Sequence, residues 1–325
     1  MSARTYLLAG VPLAALLASS LYSYGSGVDP YTVGVANLTK ARPSCGNCHS
    51  GTQGANSLKV KLAPTARALT PGQSLSVTLS ATGGVADAQL RGGFTCDVSS
   101  GAFTAGTNSR LTSRSDAITH SRNSGHNRSW TYGYTASTNP GLIEMYATLL
   151  TSNGSGTSGD IWGFAAFNSA AVQGTAVRLY VNAPGVVPVG SACAGSYENV
   201  PVFGAKQAPQ RGNAAFGFEL FSVPSSAGMA LLVNGPSNFT LDLAVVGITG
   251  GCNLLVDPAN VIVFNGTTTA GDPERASATG SFPMPIPNSP GLAGVQFQCQ
   301  VAILDVNSGR PTPITMTNAL RVTVQ

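Results

Sequence analysis

Two short runs restrict the fold more than anything else in the chain: Leu58-Lys59-Val60-Lys61-Leu62 and Leu75-Ser76-Val77-Thr78-Leu79 alternate apolar and polar residues without a break. Alternation at period two sends successive side chains to opposite faces of an extended backbone, so each run predicts a strand with one face in a core. Further strands are predicted over residues 92–98, 128–135, 142–150 and 161–167, and then over 215–220, 230–233, 241–245, 261–264, 295–305 and 320–324, bounded by Gly, Ser or Asn clusters. With 39 Gly, 20 Pro and 9% charged residues, the chain is poor material for long helices. The expected class is all-β, and 325 residues suffice for two β-sandwich domains in tandem, each with a sizeable core.

The N-terminus predicts export. Arg4 precedes an apolar run over residues 6–17, and Ala18-Ser19-Ser20 follows as a small-residue cleavage site, so residues 1–20 read as a signal peptide. The run contains Gly10 and Pro12 and falls short of the roughly 20 residues that span a bilayer, so no transmembrane anchor is expected in the mature chain. No Cys precedes Cys45, which argues against a lipid anchor at the cleavage site. The expected location is the periplasm, the exterior or the cell surface. Residues 21–43, with Pro30, Gly34 and Pro43, read as an extended lead-in.

Chemistry is concentrated in Cys45-Gly46-Asn47-Cys48-His49. This C-x-x-C-H spacing is that of a c-type haem attachment site, where two thiols add to the porphyrin vinyl groups and the next imidazole becomes the proximal iron ligand. The reading is one covalent haem c, with Cys45 and Cys48 as thioether donors and His49 as proximal ligand. A disulfide-clipped loop and a zinc site are the other readings of the same residues. The chain has 3 His in all, which makes His120 the first candidate for a distal ligand and His126 the second, each with a structural or solvated role as its alternative. Two imidazoles on one iron would close it to small ligands and suit it to electron transfer. Met145 alternates with Ile143 and Ala147 and reads as core.

Of the remaining cysteines, Cys193 and Cys252 are the preferred disulfide pair, while Cys96 and Cys299 either bridge the domains or stay buried as thiols. Asn153-Gly154-Ser155 and Ser158-Gly159-Asp160 are rich in oxygen donors but lack the dense carboxylates of a calcium loop, and read as a turn between strands. No G-x-S-x-G, G-x-x-x-x-G-K-[ST] or H-E-x-x-H occurs, and the second half holds no His, so a hydrolase is not expected.

Charge divides the chain. Residues 1–184 carry 12 Lys and Arg against 6 Asp and Glu, and the remainder 5 against 7. Arg110, Arg114, Arg122 and Arg128 read as a solvated loop region, and without interleaved aromatic residues no nucleic-acid partner is expected. Residues 182–190 read as a linker, which places a haem-loop domain at 44–181 and a second β-rich unit at 191–325.

The order of Pro71-Gly72-Gln73, Gly92-Gly93-Phe94, Ile118-Thr119-His120-Ser121, Ser129-Trp130-Thr131-Tyr132 and Ser158-Gly159-Asp160 resembles the reelin-type, or choice-of-anchor V, domain of secreted proteins, over about residues 40–170. Bacterial members of that group often open with a Cys-x-x-Cys-His-Ser-Gly segment, as residues 45–51 do here. The resemblance implies an immunoglobulin-like sandwich outside the cytoplasm. The stretch Thr135-Ala136-Ser137-Thr138-Asn139-Pro140 departs from the family, which more usually has a Trp and an Ala-Pro pair there. Residues 285–294, Gln298 and 318–322 resemble a C-terminal β-rich module of secreted bacterial proteins, which implies a structural or attachment role. The expected function is that of a secreted monohaem cytochrome-like protein, an electron carrier with a redox partner protein or surface component. The alternative is a haem-free surface binding or adhesion protein whose Cys45 and Cys48 are disulfide-bonded.

Overall fold

The computed structural model of the chain describes residues 39–40, 44–49, 52–53, 57–121, 127–156, 158–166, 174–248, 251–272, 275 and 277–325. The signal-peptide assignment and most of the lead-in lie outside the described residues. Among those described, no helix is long and apolar enough to cross a membrane.

The described chain is all-β. The alternating run at Leu58 becomes the strand Leu58–Pro64, with Leu58, Val60 and Leu62 buried and Lys59 and Lys61 exposed. It pairs antiparallel with Ser74–Gly83, followed by Ser129–Thr135 and Ala102–Thr104, to make a four-stranded sheet. The facing sheet runs in the order Thr52–Gln53, Ile161–Phe164, Gly141–Thr151, Gly92–Val98, Ala117–His120, Ser109–Leu111, and Val177–Val181 also pairs with Gly141–Thr151. Between the sheets lie Val77, Leu79, Phe94, Trp130, Tyr132, Ile143, Met145 and Leu149, a core in which Phe94 stacks on Tyr132 with ring centroids 5.7 Å apart.

A second sandwich follows. Its five-stranded sheet has the order Val186–Val189, Ile314–Thr323, Gln296–Leu304, Gly228–Asn234, Ile262–Thr267, and its three-stranded sheet the order Val202–Gly204, Gly217–Val223, Ala278–Pro283. Phe203, Phe216, Phe218, Leu231, Val301 and Val322 fill the space between them.

The segment 182–190 is not the free linker that its Pro and Gly suggest. Val186–Val189 pairs with Ala319 to Val322 as an edge strand of the second sandwich, where Pro188 is tolerated because an edge leaves its missing N–H without consequence. The second unit therefore starts before residue 191. Asn182 ties the two sandwiches together: its side-chain amide donates to Leu69 O at 3.1 Å, and its Oδ1 accepts from Ala205 N at 2.9 Å. Tyr180 adds a stacked contact with Phe221 across the same seam, 5.9 Å between centroids.

The strand expected over 241–245 is also corrected. Only Leu241–Asp242 is extended, and Leu243–Val246 is a 3-10 turn, because Asp242 accepts from Ala244 N at the start and Gly247 takes a left-handed φ of 82° at the end.

Candidate functional site

Cys45, Cys48 and His49 sit together on one turn. Ser44–Asn47 is a 3-10 helix, and Cys45 O accepts from both Cys48 N at 3.2 Å and His49 N at 2.9 Å. The backbone thus folds the three chemical groups into a single coil. Both cysteines are free thiols, Cys48 exposed and Cys45 half-buried.

The turn lies on the outer face of the first sandwich. In Gly92–Val98 the residues Phe94, Cys96 and Val98 point into the core, which leaves Thr95 and Asp97 on the opposite face, yet both are buried. Register places Thr95 beside Thr119 on one side and Thr148 on the other, with Phe164 beyond Thr148. A face this polar stays buried only if something covers it, and residues 39–40 and 44–49 supply cover. Thr39 Oγ1 donates to Asp97 Oδ1 at 2.8 Å, Lys40 lies 3.8 Å from the same carboxylate and over the Tyr146 ring, and Gly174 N donates to Lys40 O. Ser44 Oγ donates to Thr148 Oγ1 at 3.2 Å, and Cys45 Sγ lies 3.7 Å from that hydroxyl. Gly46 rests on Trp162 so closely that a Cβ would come within 2.9 Å of the indole. Glycine is what permits that approach.

His49 is held by a residue far away in sequence. Its Nδ1 lies 2.7 Å from Asp160 Oδ2, and Asp160 is fully buried, with its other oxygen accepting from Asn153 N at 3.1 Å. A carboxylate can only accept, so Nδ1 carries a proton, and in the neutral tautomer Nε2 is the ring nitrogen left with a lone pair. Burial pushes the Cys45 thiol up to about 11, against the lowering effect of the Thr148 and Ser44 hydroxyls, so this sulfur stays protonated at neutral pH. Beside Gly46, the buried Trp162 Nε1 has no hydrogen-bond partner among the described residues.

His120 lies elsewhere on the sheet. Its ring packs over the bare Cα of Gly93, and its Nδ1 accepts from Phe94 N at 3.0 Å. Desolvation lowers its pKa, opposed by the Phe94 carbonyl oxygen 3.2 Å from Nδ1 and reinforced by Arg110 and His49, and the ring is anchored on the Phe94 backbone. Gly93 is in register with Leu150, and Leu150 with Trp162, so His120 shares a face with the turn, near enough for the His49 charge to act on it but with no hydrogen bond between the two rings among the described residues. His126 lies outside the described residues. Met145 is wholly buried in the core. The oxygen-rich turn after residue 152 spends its donors and acceptors on itself and on His49: Asn153 Oδ1 accepts from Ser155 N and Asn153 Nδ2 donates to Ser158 O. Among the described residues no cluster of three or more His, Cys, Asp or Glu is arranged to hold a bare metal ion.

Cys193 and Cys252 form a disulfide, Cα atoms 4.9 Å apart, beside a small cluster of Leu243, Ile248 and Met316. Cys96 and Cys299 are buried thiols in separate cores and do not bridge the domains.

Sequence reasoning missed Asp160, Thr148 and Trp162 as parts of the site. The hints of Asp160 were its place in an oxygen-rich turn and in the Ser158-Gly159-Asp160 segment of the reelin-type resemblance, and nothing local links it to His49, 111 residues away.

No family model matches the chain, and no curated protein matches it. Among solved structures it is similar to the reelin-N domain of F-spondin, at 15% identity and a TM-score of 0.28 over 43% of this chain and 96% of that one. It is also similar to the reeler domain of human F-spondin, at 19% identity and a TM-score of 0.26 over 41% and 94%. The Yersinia pseudotuberculosis adhesin InvE is similar over 85% of this chain and 61% of its own, at 14% identity and a TM-score of 0.20. These likenesses concern fold alone.

Proposed function

We propose that the chain is an exported β-sandwich protein that holds one covalent haem c through Cys45, Cys48 and His49 and exchanges electrons with a partner outside the cytoplasm. One observation carries the reading: two unpaired thiols on a single turn, followed by an imidazole whose Nδ1 is fixed by a buried carboxylate. The donor set fits the group, because attachment needs two reduced thiols and ligation needs a neutral imidazole with one nitrogen free. The haem would supply reversible one-electron exchange at its iron. Cys45 and Cys48 would fasten it, Asp160 keeps the Nδ1 proton in place and so presents Nε2, and Trp162 Nε1 offers a donor to an acceptor laid beside Gly46. The test is expression with haem-attachment machinery and export. A Soret band, with a mass gain of one haem that survives denaturation and is lost in Cys45→Ser/Cys48→Ser, is expected. Colourless protein of unmodified mass would end the proposal.

A haem-free surface binding or adhesion protein is the second reading. It needs no cofactor, suits the reelin-type and adhesin names among the similar solved structures, and is favoured by a cleft between the sandwiches that sets Lys61, Arg67 and Glu198 among small and aliphatic residues. It predicts that the purified protein has Cys45 bonded to Cys48, which mass spectrometry after alkylation without reduction reads directly.

A further inference from the structure

A cleft of about 450 Å³ opens where the two sandwiches meet, walled on one side by residues 61–68 and on the other by residues 190–192, Ala194, Glu198, Val200 and Asn318. Much of the lining is small or aliphatic, including Leu62, Ala192 and Val200, and the charged side chains in it are Lys61, Arg67 and Glu198.

Arg67 is the unusual member. Protein packs around its guanidinium while the side chain keeps some exposure into the cleft, and among the described residues its side chain hydrogen-bonds from Nη1 to Val200 O, at 3.3 Å. Among the described residues no carboxylate lies within 4 Å of it, in contrast to Arg178, whose Nε is 3.1 Å from Glu144. A guanidinium has five N–H donors in a planar fork, and a cation taken out of water without an anion is left with an uncompensated cost. Burial alone draws its pKa down, to about 10, which leaves it charged at neutral pH. Its backbone is not free to move away, since Arg67 O accepts from Tyr180 N at 2.7 Å. On the facing wall Glu198 holds a left-handed φ of 54°, as does its chain neighbour Tyr197 at 55°, a strain of the kind that gathers at ligand clamps.

We propose that this cleft binds a ligand bearing a carboxylate, with the Arg67 fork as its anchor and the aliphatic wall against its body. A carboxylate suits one fork, because its two coplanar oxygens match two parallel N–H groups. Phosphate suits it less: a dianion calls for more than one buried cation, and Glu198 in the lining repels a second negative charge. The site is independent of any group on the Cys45 turn. Two sources share this chemistry, a free organic acid and the uronate of an acidic sugar.

The test is calorimetric titration of the full exported chain with benzoate and, separately, with digalacturonate. Saturable binding of one of them is expected, and which one binds tells the source. Arg67→Gln should weaken that binding about 10- to 100-fold, the worth of a charge-assisted pair, and Arg67→Lys, which keeps the charge without the fork, should fall between. Ala192→Phe, which adds bulk to the cleft wall and leaves Arg67 itself unaltered, should abolish binding and serves where Arg67→Gln does not fold. Absence of binding by the unaltered chain to both probes overturns the proposal, as does binding that survives in Ala192→Phe or is unchanged in Arg67→Gln.

Discussion

His49 Nδ1 and Asp160 Oδ2 are 2.7 Å apart, which couples the Cys45 turn to the start of the strand Ile161–Phe164 through a buried carboxylate. A carboxylate on the far nitrogen makes an imidazole a more basic ligand and fixes its ring plane. In haem-loaded protein, Asp160→Asn should therefore raise the reduction potential, read by redox titration of the Soret band. An unchanged potential would reduce Asp160 to a structural tether for the turn.

The contact between Gly46 and Trp162 gives a test in protein without any cofactor. A Cβ at Gly46 would lie 2.9 Å from Trp162 Cζ2, and the indole is buried with little room to yield. Gly46→Ala should cost about 1–3 kcal/mol as an overpacked contact. Urea denaturation followed by tryptophan fluorescence measures it, and a cost near zero would mean that the turn lifts off the sheet freely.

Asp97 makes a prediction about pH. Desolvation raises its pKa above the ordinary 3.8, with the Thr39 hydroxyl and Lys40 pulling the other way. The folded chain then binds this proton more readily than the unfolded chain, so stability is lost as pH rises from 3.8 through the raised folded value. Asp97→Asn should match the parent below that range and be more stable than it at neutral pH, in paired denaturant titrations. A variant less stable at neutral pH would show that the pairing with Lys40 outweighs the cost of burial.

Removal of the Cys193–Cys252 bridge frees a 59-residue span in the unfolded chain, worth about 4 kcal/mol in the loop-entropy account. The double Ser variant should lower the unfolding midpoint of the second sandwich and leave the Trp130 and Trp162 signals of the first in place. Both tryptophans of the chain lie in that first sandwich, so the two halves can be followed separately.

How much of this could be read in advance depends on whether the cause was local. Leu58-Lys59-Val60-Lys61-Leu62 announces its strand because burial on one face imposes alternation, and Gly92–Val98 was bounded by turn residues at the expected places. The strand Ile314–Thr323 was recognised only in its last half. Thr315, Thr317 and Asn318 are buried polar residues there, and alternation fails when both faces are covered. Residues 186–189 read as a linker because their partner strand lies more than a hundred residues away. The same is true of the site: C-x-x-C-H is a local signature, whereas Asp160, Thr148 and Trp162 reach it only through the register of the sheet. Period-two reasoning also failed at Leu243–Val246, where an Asp cap and a Gly stop outvoted an apolar run.

Asn182 reaches Leu69 in one sandwich and Ala205 in the next with a single side chain. Any rotation of one half against the other must break at least one of these bonds, so the join resists hinging. A guest entering between the halves meets walls already at their final separation. Its residence would be decided by fit, and the span from there to the thiol turn would stay the same whether the guest is in or out.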